Sequence, residues 1–315
     1  MTNVGAGSSR STLQMLDMVK PAPTMLFSRF FRFFRYLNAK TLWKMAQSAG
    51  EARLTGLAAE MAYNAMLALF PAILAFLAAI GLFHPLQATI YKLAYEVGKV
   101  APDDVRSLVR GFIDELSTSH NLNLFSASFV GALWAFSGVI NTAMAALDRI
   151  HNIPITLARP FWKAKLVSLS LSLAAIWLLI NASFLVFISD LIVETVAKES
   201  GNLESGLLAI WRRVTWPAAL GIVALAFGLV YRFGPSYRDQ EMPIMPGAIL
   251  AAIFWAILSS LFREYVLHFG NYNRTYGAVG AVIVLMFWLY LSSLVMLVGA
   301  QLNVTVGEAM RRRSR

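Results

Sequence analysis

The sequence predicts an all-α integral membrane protein with six transmembrane helices, and two observations predict this class. Of the 315 residues, 58% are hydrophobic and only 14% are charged, whereas a soluble globular domain carries roughly 25% charged residues. Six stretches of at least 18 residues contain no Asp, Glu, Lys or Arg, and about 20 apolar residues in a helix cross the ~30 Å hydrocarbon core of a bilayer. After their polar ends are trimmed, we predict spans at about 56–83, 124–147, 166–192, 212–232, 244–268 and 276–306.

The basic residues predict how these spans are oriented. An even number of spans leaves both chain ends on one side, and that side carries 18 Lys and Arg residues against 9 on the other. Because Lys and Arg accumulate in cytoplasmic loops, both termini are expected in the cytoplasm. Membrane orientation then accounts for the net charge of +10, so membrane lipids are the expected partners and nucleic acid is not.

The regions flanking the transmembrane domain, 54–307, are expected to be short. Residues 1–24 are rich in Ser, Thr, Gly and Pro, which predicts a disordered tail, and 308–315 form a basic cytoplasmic tail. In 25–53, most Phe residues fall on one side of a helical wheel and the Arg residues on the other, and only Phe33 breaks the pattern. This predicts a cytoplasmic interfacial helix. The alternative is a helix packed on another domain, and the sequence offers no such domain.

A second amphipathic region lies between the first two spans. Apolar residues recur at helical spacing in 90–97 and again in 105–116, and Asp103 and Asp104 precede the second group. Acidic residues in a first turn favour a helix because of its dipole. We therefore predict an outer amphipathic helical hairpin, which serves either as a lid over the bundle or as a packing element.

The first span carries polar residues on one face. Glu60, Asn64 and Pro71 follow one another at helical spacing. Pro71 lacks an amide hydrogen and clashes with the carbonyl of Leu67, so a kink and a free acceptor are expected there. An ionisable residue in a span is a candidate functional residue. Glu60 is only about two turns from the cytoplasmic end, however, and a structural role at the headgroups is the alternative.

The second span and the cytoplasmic loops supply the remaining candidates. Ser137 and Asn141 share a face of the second span, and such residues either line a pathway or form hydrogen bonds between helices. Together with Glu60, Asn64 and Pro71 they make up the predicted substrate pathway. Basic residues near the interfaces are candidate headgroup contacts, with simple interfacial anchoring as the alternative; they are Arg149, Arg159 and Arg232, and further along the chain Arg263 and Arg274.

Several classes of site are excluded by composition. The chain has no Cys and only four scattered His residues, so no thiol nucleophile, metal site or cofactor is expected. It also lacks the GxxxxGK[ST] loop that binds nucleotide phosphates. Metal-assisted nuclease chemistry needs clustered His and carboxylates. We therefore expect no catalytic residues and no enzyme.

Four separated stretches carry a family resemblance. They are AYNAMLALFPAILA, LWAFSGVINTAMAALDRIHNIP followed by ARPFWKAKLVSL, PGAILAAIFW, and YNRTYGAVGAVIVLMFWLYLSSLVMLVGAQLN, within about 40–307. They resemble the YihY/virulence factor BrkB family of bacterial inner-membrane proteins. The resemblance implies a six-span, multi-pass protein of the bacterial inner membrane and brings no catalytic residue set. In this family some members are linked to export of a lipid A precursor, others to serum resistance or osmotic adaptation, and many carry an older ribonuclease BN label. The first motif often has Ser where this chain has Ala68, so a role for that hydroxyl is absent here.

The polar spans favour one function over two others. A transporter or flippase of a lipid-like amphiphile or polar solute accounts for the kinked first span and the basic cytoplasmic loops. A short likeness between FPAILA in the first span and MPGAILA in the fifth is of the kind found in inverted repeats of transporters. A non-catalytic membrane scaffold or assembly factor is the alternative. Ribonuclease activity is the least favoured.

Overall fold

The structure, a computed structural model, describes residues 33, 35–82, 122–185, 204–237, 244–268 and 273–312. These residues form helices and contain no strand. The helices are α1 (Ala39–Glu51), α2 (Leu54–Leu82), α3 (Leu122–Ile150), α4 (Phe161–Ser183), α5 (Glu204–Phe233), α6 (Met245–His268) and α7 (Asn273–Arg312), and a 3-10 turn covers Ile155–Leu157. Six of them, α2–α7, are long and apolar enough to cross a membrane. The predicted all-α class with six spans is confirmed.

Helices α4, α5 and α7 extend well beyond the predicted spans, and α5 begins at Glu204 rather than at 212. Helix α4 begins at Phe161 rather than at 166, because Pro160 adopts an extended conformation (φ −62°, ψ 149°) as its N-cap and accepts the first helical hydrogen bond from Ala164. Lys165 therefore belongs to the helix and not to the preceding loop. Helix α7 covers 40 residues, about 60 Å at 1.5 Å per residue, and so it is longer than a ~30 Å hydrocarbon core requires.

The six spans form a ring in chain order. Each of α2–α6 contacts the next helix, and α7 returns to contact α2. Helix α3 is the most central, because it contacts α5 and α7 as well as its neighbours α2 and α4. We call the end at which α2, α4 and α6 begin, and α3, α5 and α7 end, the base of the bundle. The basic residues predict that the base faces the cytoplasm.

Burial is concentrated at the base. Between 245 and 266, the buried residues of α6 all lie in the stretch 246–252, and most buried residues of α7 lie in 293–306. One hydrophobic cluster joins all six spans there, and its members include Leu57, Leu147, Leu171, Val230, Ala248 and Leu297. Away from the base, large apolar side chains such as Phe70 and Leu261 are exposed, as expected for contact with lipid tails. The described parts of the spans are therefore held together mainly at the base.

The N-terminal segment is interrupted at residues 36–38, between the helical positions Phe33 and Arg35 and the start of α1. The backbone N–H of Thr41 donates to Asn38 Oδ1 (2.9 Å), and Asn38 is extended (φ −115°, ψ 167°). An Asn side chain in this role is a helix N-cap. Helix α1 therefore begins at Ala39, and the helix predicted over 25–53 does not continue through Asn38. Its residues 25–32 and 34 lie outside the described residues, as do the 1–24 tail and the outer hairpin.

The N-terminal segment is docked on the last span. Phe33, which broke the amphipathic pattern, is fully buried against Leu302 and Val306 of α7. An ion pair of 2.6 Å joins Lys44 of α1 to Glu308 of α7. The alternative of a helix packed on another part of the protein therefore applies to this part of the segment. Its partner is the bundle itself. On the outer face of α1, Trp43 is 77% exposed, which is typical of a membrane interface.

Candidate functional site

Polar residues of the first span meet the second span at Thr142. The Thr142 hydroxyl donates to Glu60 Oε1 (3.2 Å) and accepts from Asn64 Nδ2 (3.0 Å). Further from the base, a Cβ placed on Gly131 of α3 would lie 3.7 Å from Pro71 Cβ, so the small glycine lies opposite the proline. The face that carries Glu60, Asn64 and Pro71 is therefore the face that α2 presents to α3. We call Glu60, Asn64 and Thr142 the polar seam.

The two candidates of the second span do not belong to this seam. Asn141 is exposed, whereas its neighbour Thr142 is buried and contacts α2. Ser137 is fully buried and its hydroxyl contacts α4 instead. The spacing of Ser137 and Asn141 placed them on one face of α3, but the structure brings neither together with Glu60 or Asn64.

A cationic side chain contacts α3 from the third span. The Lys165 ammonium donates to Ser137 Oγ (2.5 Å) and lies 3.8 Å from the centroid of the Trp134 ring. The Ser137 hydroxyl in turn donates to the backbone carbonyl of Trp134 (2.6 Å). A cation over an indole face is a favourable cation–π arrangement. Among the described residues, no carboxylate lies within ion-pair distance of Lys165. We call Lys165, Ser137 and Trp134 the lysine site.

Two loops are bound to each other at the base. Asp148 accepts hydrogen bonds from the backbone N–H (2.6 Å) and hydroxyl (2.7 Å) of Ser236. The Arg159 guanidinium donates to the backbone carbonyls of Phe233 (2.9 Å), Gly234 (2.8 Å) and Pro235 (2.7 Å). Arg159 was a candidate headgroup contact. Its donors are instead directed to backbone acceptors, so it holds the loop after α5 against the loop before α4.

The other two candidate headgroup contacts remain at the surface. Arg149 and Arg232 are both exposed, and the Arg232 guanidinium lies 5.5 Å from the centroid of the Phe233 ring. Both residues lie in the last turns of their helices, at the base. Their position agrees with contact to headgroups and equally with interfacial anchoring.

An asparagine of α7 caps the start of α6. Asn303 Oδ1 accepts from the backbone N–H of Gly247 (2.8 Å), and Asn303 Nδ2 donates to the carbonyl of Ile244 (2.9 Å). Gly247 permits this approach, because a Cβ there would overlap the Asn303 side chain. The first N–H groups of a helix have no partner within the helix, so Asn303 satisfies one of them from a neighbouring span.

A cavity of about 460 Å³ lies at the base between the ends of α1 and α3 and the side of α7. Its lining residues are mostly polar or charged and include Glu51, Arg53, Arg149, Asn152, Gln301, Thr305 and Glu308. Gln301 is only 4% exposed; its Nε2 donates to Thr305 Oγ1 (3.2 Å), while its Oε1 has no partner among the described residues. We call this space the base cavity.

The sequence signals for these sites differ in strength. Lys165 was excluded from the third span because spans were defined as charge-free stretches, so the criterion itself removed it. Gln301 and Asn303 are visible as amides in an apolar span, but nothing local distinguishes the amide that caps a helix from the amide that lines a cavity. Three-dimensional contacts were needed for both.

Comparison with known sequences identifies the relatives of this six-span chain. The sequence model of the family described as virulence factor BrkB matches residues 45–315, which include every described span. The chain belongs to this family. As a BrkB-family protein it is a membrane protein, and the match covers the polar seam, the lysine site and the base cavity.

Individual relatives extend along most of the BrkB-family chain. YfkH of Bacillus subtilis, named as a ribonuclease-like protein, is 29% identical over 252 residues, 78% of this chain and 87% of that protein. A UPF0761 membrane protein of Alteromonas mediterranea is 26% identical over 275 residues, 84% of this chain and 86% of that protein. Another, of Haemophilus influenzae, is 25% identical over 265 residues, 82% of this chain and 91% of that protein. No solved structure matches significantly.

Proposed function

We propose that this BrkB-family protein transports a lipid-like amphiphile or a polar solute that carries a phosphate or carboxylate group across the bacterial inner membrane. The observation that carries the proposal is the lysine site, where a cation within a span has no described acidic partner. We further propose that the protein is not an enzyme and that both termini are cytoplasmic, as the 18 to 9 distribution of basic residues predicts.

The position of the lysine site supports a role in transport. Lys165 lies in the second turn of α4, but its ammonium is level with Trp134 and Ser137, near the middle of the 29-residue helix α3. Ser137 lies about 20 Å along α3 from Ile150, at 1.5 Å per residue. A Lys at the centre of a span costs about 2.5–3.5 kcal/mol on insertion, and a Lys near the end of its span, as in α4, costs less. The position of its ammonium against the middle of α3 makes Lys165 a candidate functional residue.

The exposure of the lysine site supports a substrate that carries an anionic group. The Trp134 side chain is 56% exposed, and Lys165 is only partly buried. The ammonium has three donors, and one of them is used by Ser137. Donors and positive charge therefore remain for a phosphate or carboxylate that passes along α3.

Reconstituted protein tests this role. Full-length protein is placed in liposomes that contain a fluorescent phosphatidylglycerol, and translocation is followed by the loss of fluorescence to an impermeant quencher. We expect Lys165→Met to slow translocation by about tenfold, equivalent to about 1.4 kcal/mol of barrier, and Lys165→Arg to retain most of the rate. Lys163→Met is the matched control, because Lys163 is two residues away on α4 and is exposed.

Each outcome bears on one part of the proposal. Equal rates for Lys165→Met and Lys163→Met would remove the lysine site from the pathway. A wild-type protein that elutes as a folded species but translocates neither the lipid nor a soluble anion would contradict transport and favour the scaffold alternative. A reporter fused after Arg315 that is active in the periplasm would contradict the orientation.

A further inference from the structure

We propose that the base cavity binds a zwitterionic headgroup in which a phosphate is linked to an ammonium group. The proposal rests on the proposed transport in one respect, because it takes the bound headgroup to be that of the transported substrate. Binding itself follows from the residues that line the cavity and can be tested without any transport measurement.

The arginines supply the side of the cavity that recognises an anion. Arg53 follows α1 and Arg149 lies in the last turn of α3, and both line the same space. Among the described residues, neither forms an ion pair with a carboxylate. A guanidinium presents several donors in a fixed plane that matches phosphate oxygens. Two such groups at one cavity favour a phosphate over a monovalent anion.

The remaining lining groups recognise hydrogen-bond donors and positive charge. Gln301 Oε1 is a buried acceptor without a described partner. The Thr305 hydroxyl donates its hydrogen to the backbone carbonyl of Gln301 (2.9 Å), so it can only accept from the Gln301 side chain. The side-chain atom that contacts Thr305 is therefore the nitrogen Nε2, and the atom without a described partner is the oxygen Oε1. Glu51 also lines the cavity. Helices α1 and α3 end there, and helix C-termini favour cations.

The mixture of groups excludes a simpler ligand. Inorganic phosphate would satisfy the arginines and leave the Gln301 acceptor and the Glu51 charge without partners. A simple amine would do the reverse. The second carboxylate, Glu308, is already paired with Lys44, so the unpaired charges of the lining are two positive and one negative. A phosphate with one ammonium complements that set.

The backbone at the cavity is also unusual. Within the described chain, the non-glycine residues with positive φ are Arg53 (55°) and Asn152 (53°), and both line the cavity. Asn tolerates this left-handed conformation, but for Arg it is unfavourable. Both residues directly follow the end of a helix, where a left-handed residue commonly terminates the helix. At Arg53 the turn places the residue at the cavity wall directly before α2.

Binding to full-length protein in a maltoside detergent tests the proposal. Calorimetry with O-phosphoethanolamine, inorganic phosphate and ethanolamine as separate probes should show the first binding at least about tenfold more tightly than either of the others. The double variant Arg53→Gln/Arg149→Gln should lose this binding. Arg312→Gln should keep it, because Arg312 is an exposed arginine of the base that does not line the cavity.

Gln301 provides a test of selectivity that general damage would not reproduce. Gln301→Leu should abolish the preference for O-phosphoethanolamine over inorganic phosphate. If that variant does not elute as a folded species, Gln301→Glu replaces it, and its added carboxylate should increase the preference. Equal binding of the two probes to wild-type protein, or unchanged binding by the double arginine variant, would overturn the proposal.

Two further arms identify the source of the headgroup and separate this proposal from transport. Thermal stabilisation in mixed micelles by phosphatidylethanolamine at a lower concentration than by free O-phosphoethanolamine assigns the ligand to a membrane lipid. Equal or stronger stabilisation by the free molecule assigns it to the soluble compound, and stabilisation by neither overturns the proposal. Binding of the headgroup without translocation would contradict the proposed transport but not the proposed binding. If the double arginine variant translocates phosphatidylethanolamine at the wild-type rate, the cavity is not part of the transport pathway.

Discussion

Replacing Asn303 with Leu tests whether the base is held together by a helix cap that one span supplies to another. The change removes the hydrogen bonds to Gly247 N–H and to the Ile244 carbonyl, each worth about 1 kcal/mol, and leaves a buried N–H without a partner at about 1–3 kcal/mol. Asn303 is 5% exposed, so water cannot replace it. We expect the free energy of unfolding to fall by about 2–4 kcal/mol.

The assay is unfolding of purified protein in mixed micelles with increasing SDS, followed by loss of helical circular dichroism. Asn181→Leu is the matched control, because Asn181 is exposed and, within the part of the chain that the structure describes, donates to the Trp177 carbonyl of its own helix (2.7 Å). Its effect should stay below about 0.5 kcal/mol. Asn303→Asp keeps the oxygen that accepts from the Gly247 N–H. Its loss of unfolding free energy should therefore lie between those of Asn303→Leu and Asn181→Leu. If Asn303→Leu and Asn181→Leu unfold at the same SDS fraction, the cap does not stabilise the base.

Two further substitutions test packing between spans by the same unfolding measurement. Thr142→Val removes the hydroxyl that joins Glu60 and Asn64 and should cost about 1–2 kcal/mol, since two bonds that average about 0.6 kcal/mol each in membranes are lost. An effect no larger than that of Asn141→Leu would show that the polar seam is not structural. Gly299→Ala introduces a Cβ 2.6 Å from Ala251 Cβ and should cost about 1–3 kcal/mol. Gly221→Ala is the control, because a Cβ there has nothing within 4 Å. An equal cost for the two variants would mean that the close approach of helices at the base does not stabilise the protein.

The number and type of the spans could be predicted from the sequence, because each of them must be an apolar helix long enough to cross the bilayer. A charge-free apolar stretch of sufficient length is a local property, and it located six helices. The same criterion misplaced the start of α4, since it treated Lys165 as part of a loop. A lysine can lie within a span when an aromatic ring and a hydroxyl on a neighbouring helix contact its ammonium. For Lys165 those partners are on α3, 28 or more residues earlier in the chain.

The candidate site was predicted in part for a related reason. Helical spacing identified the shared face of Glu60 and Asn64, but it could not tell which residue of the second span meets that face. Asn141 and Thr142 are adjacent, and only the rotation of α3 in the bundle decides between them. Arg159 is a similar case, because its acceptors follow α5, about 75 residues further along the chain.

The closure of the ring by α7 has a consequence for the biogenesis of the protein. Helix α7 contacts α1, α2, α3 and α6, yet it is synthesised after all four of them. Until it leaves the translocon, the α2 face that receives it and the unsatisfied N-terminus of α6 remain open to lipid. A nascent chain that stops before Asn303 therefore presents an incomplete bundle, in which the start of α6 lacks its cap.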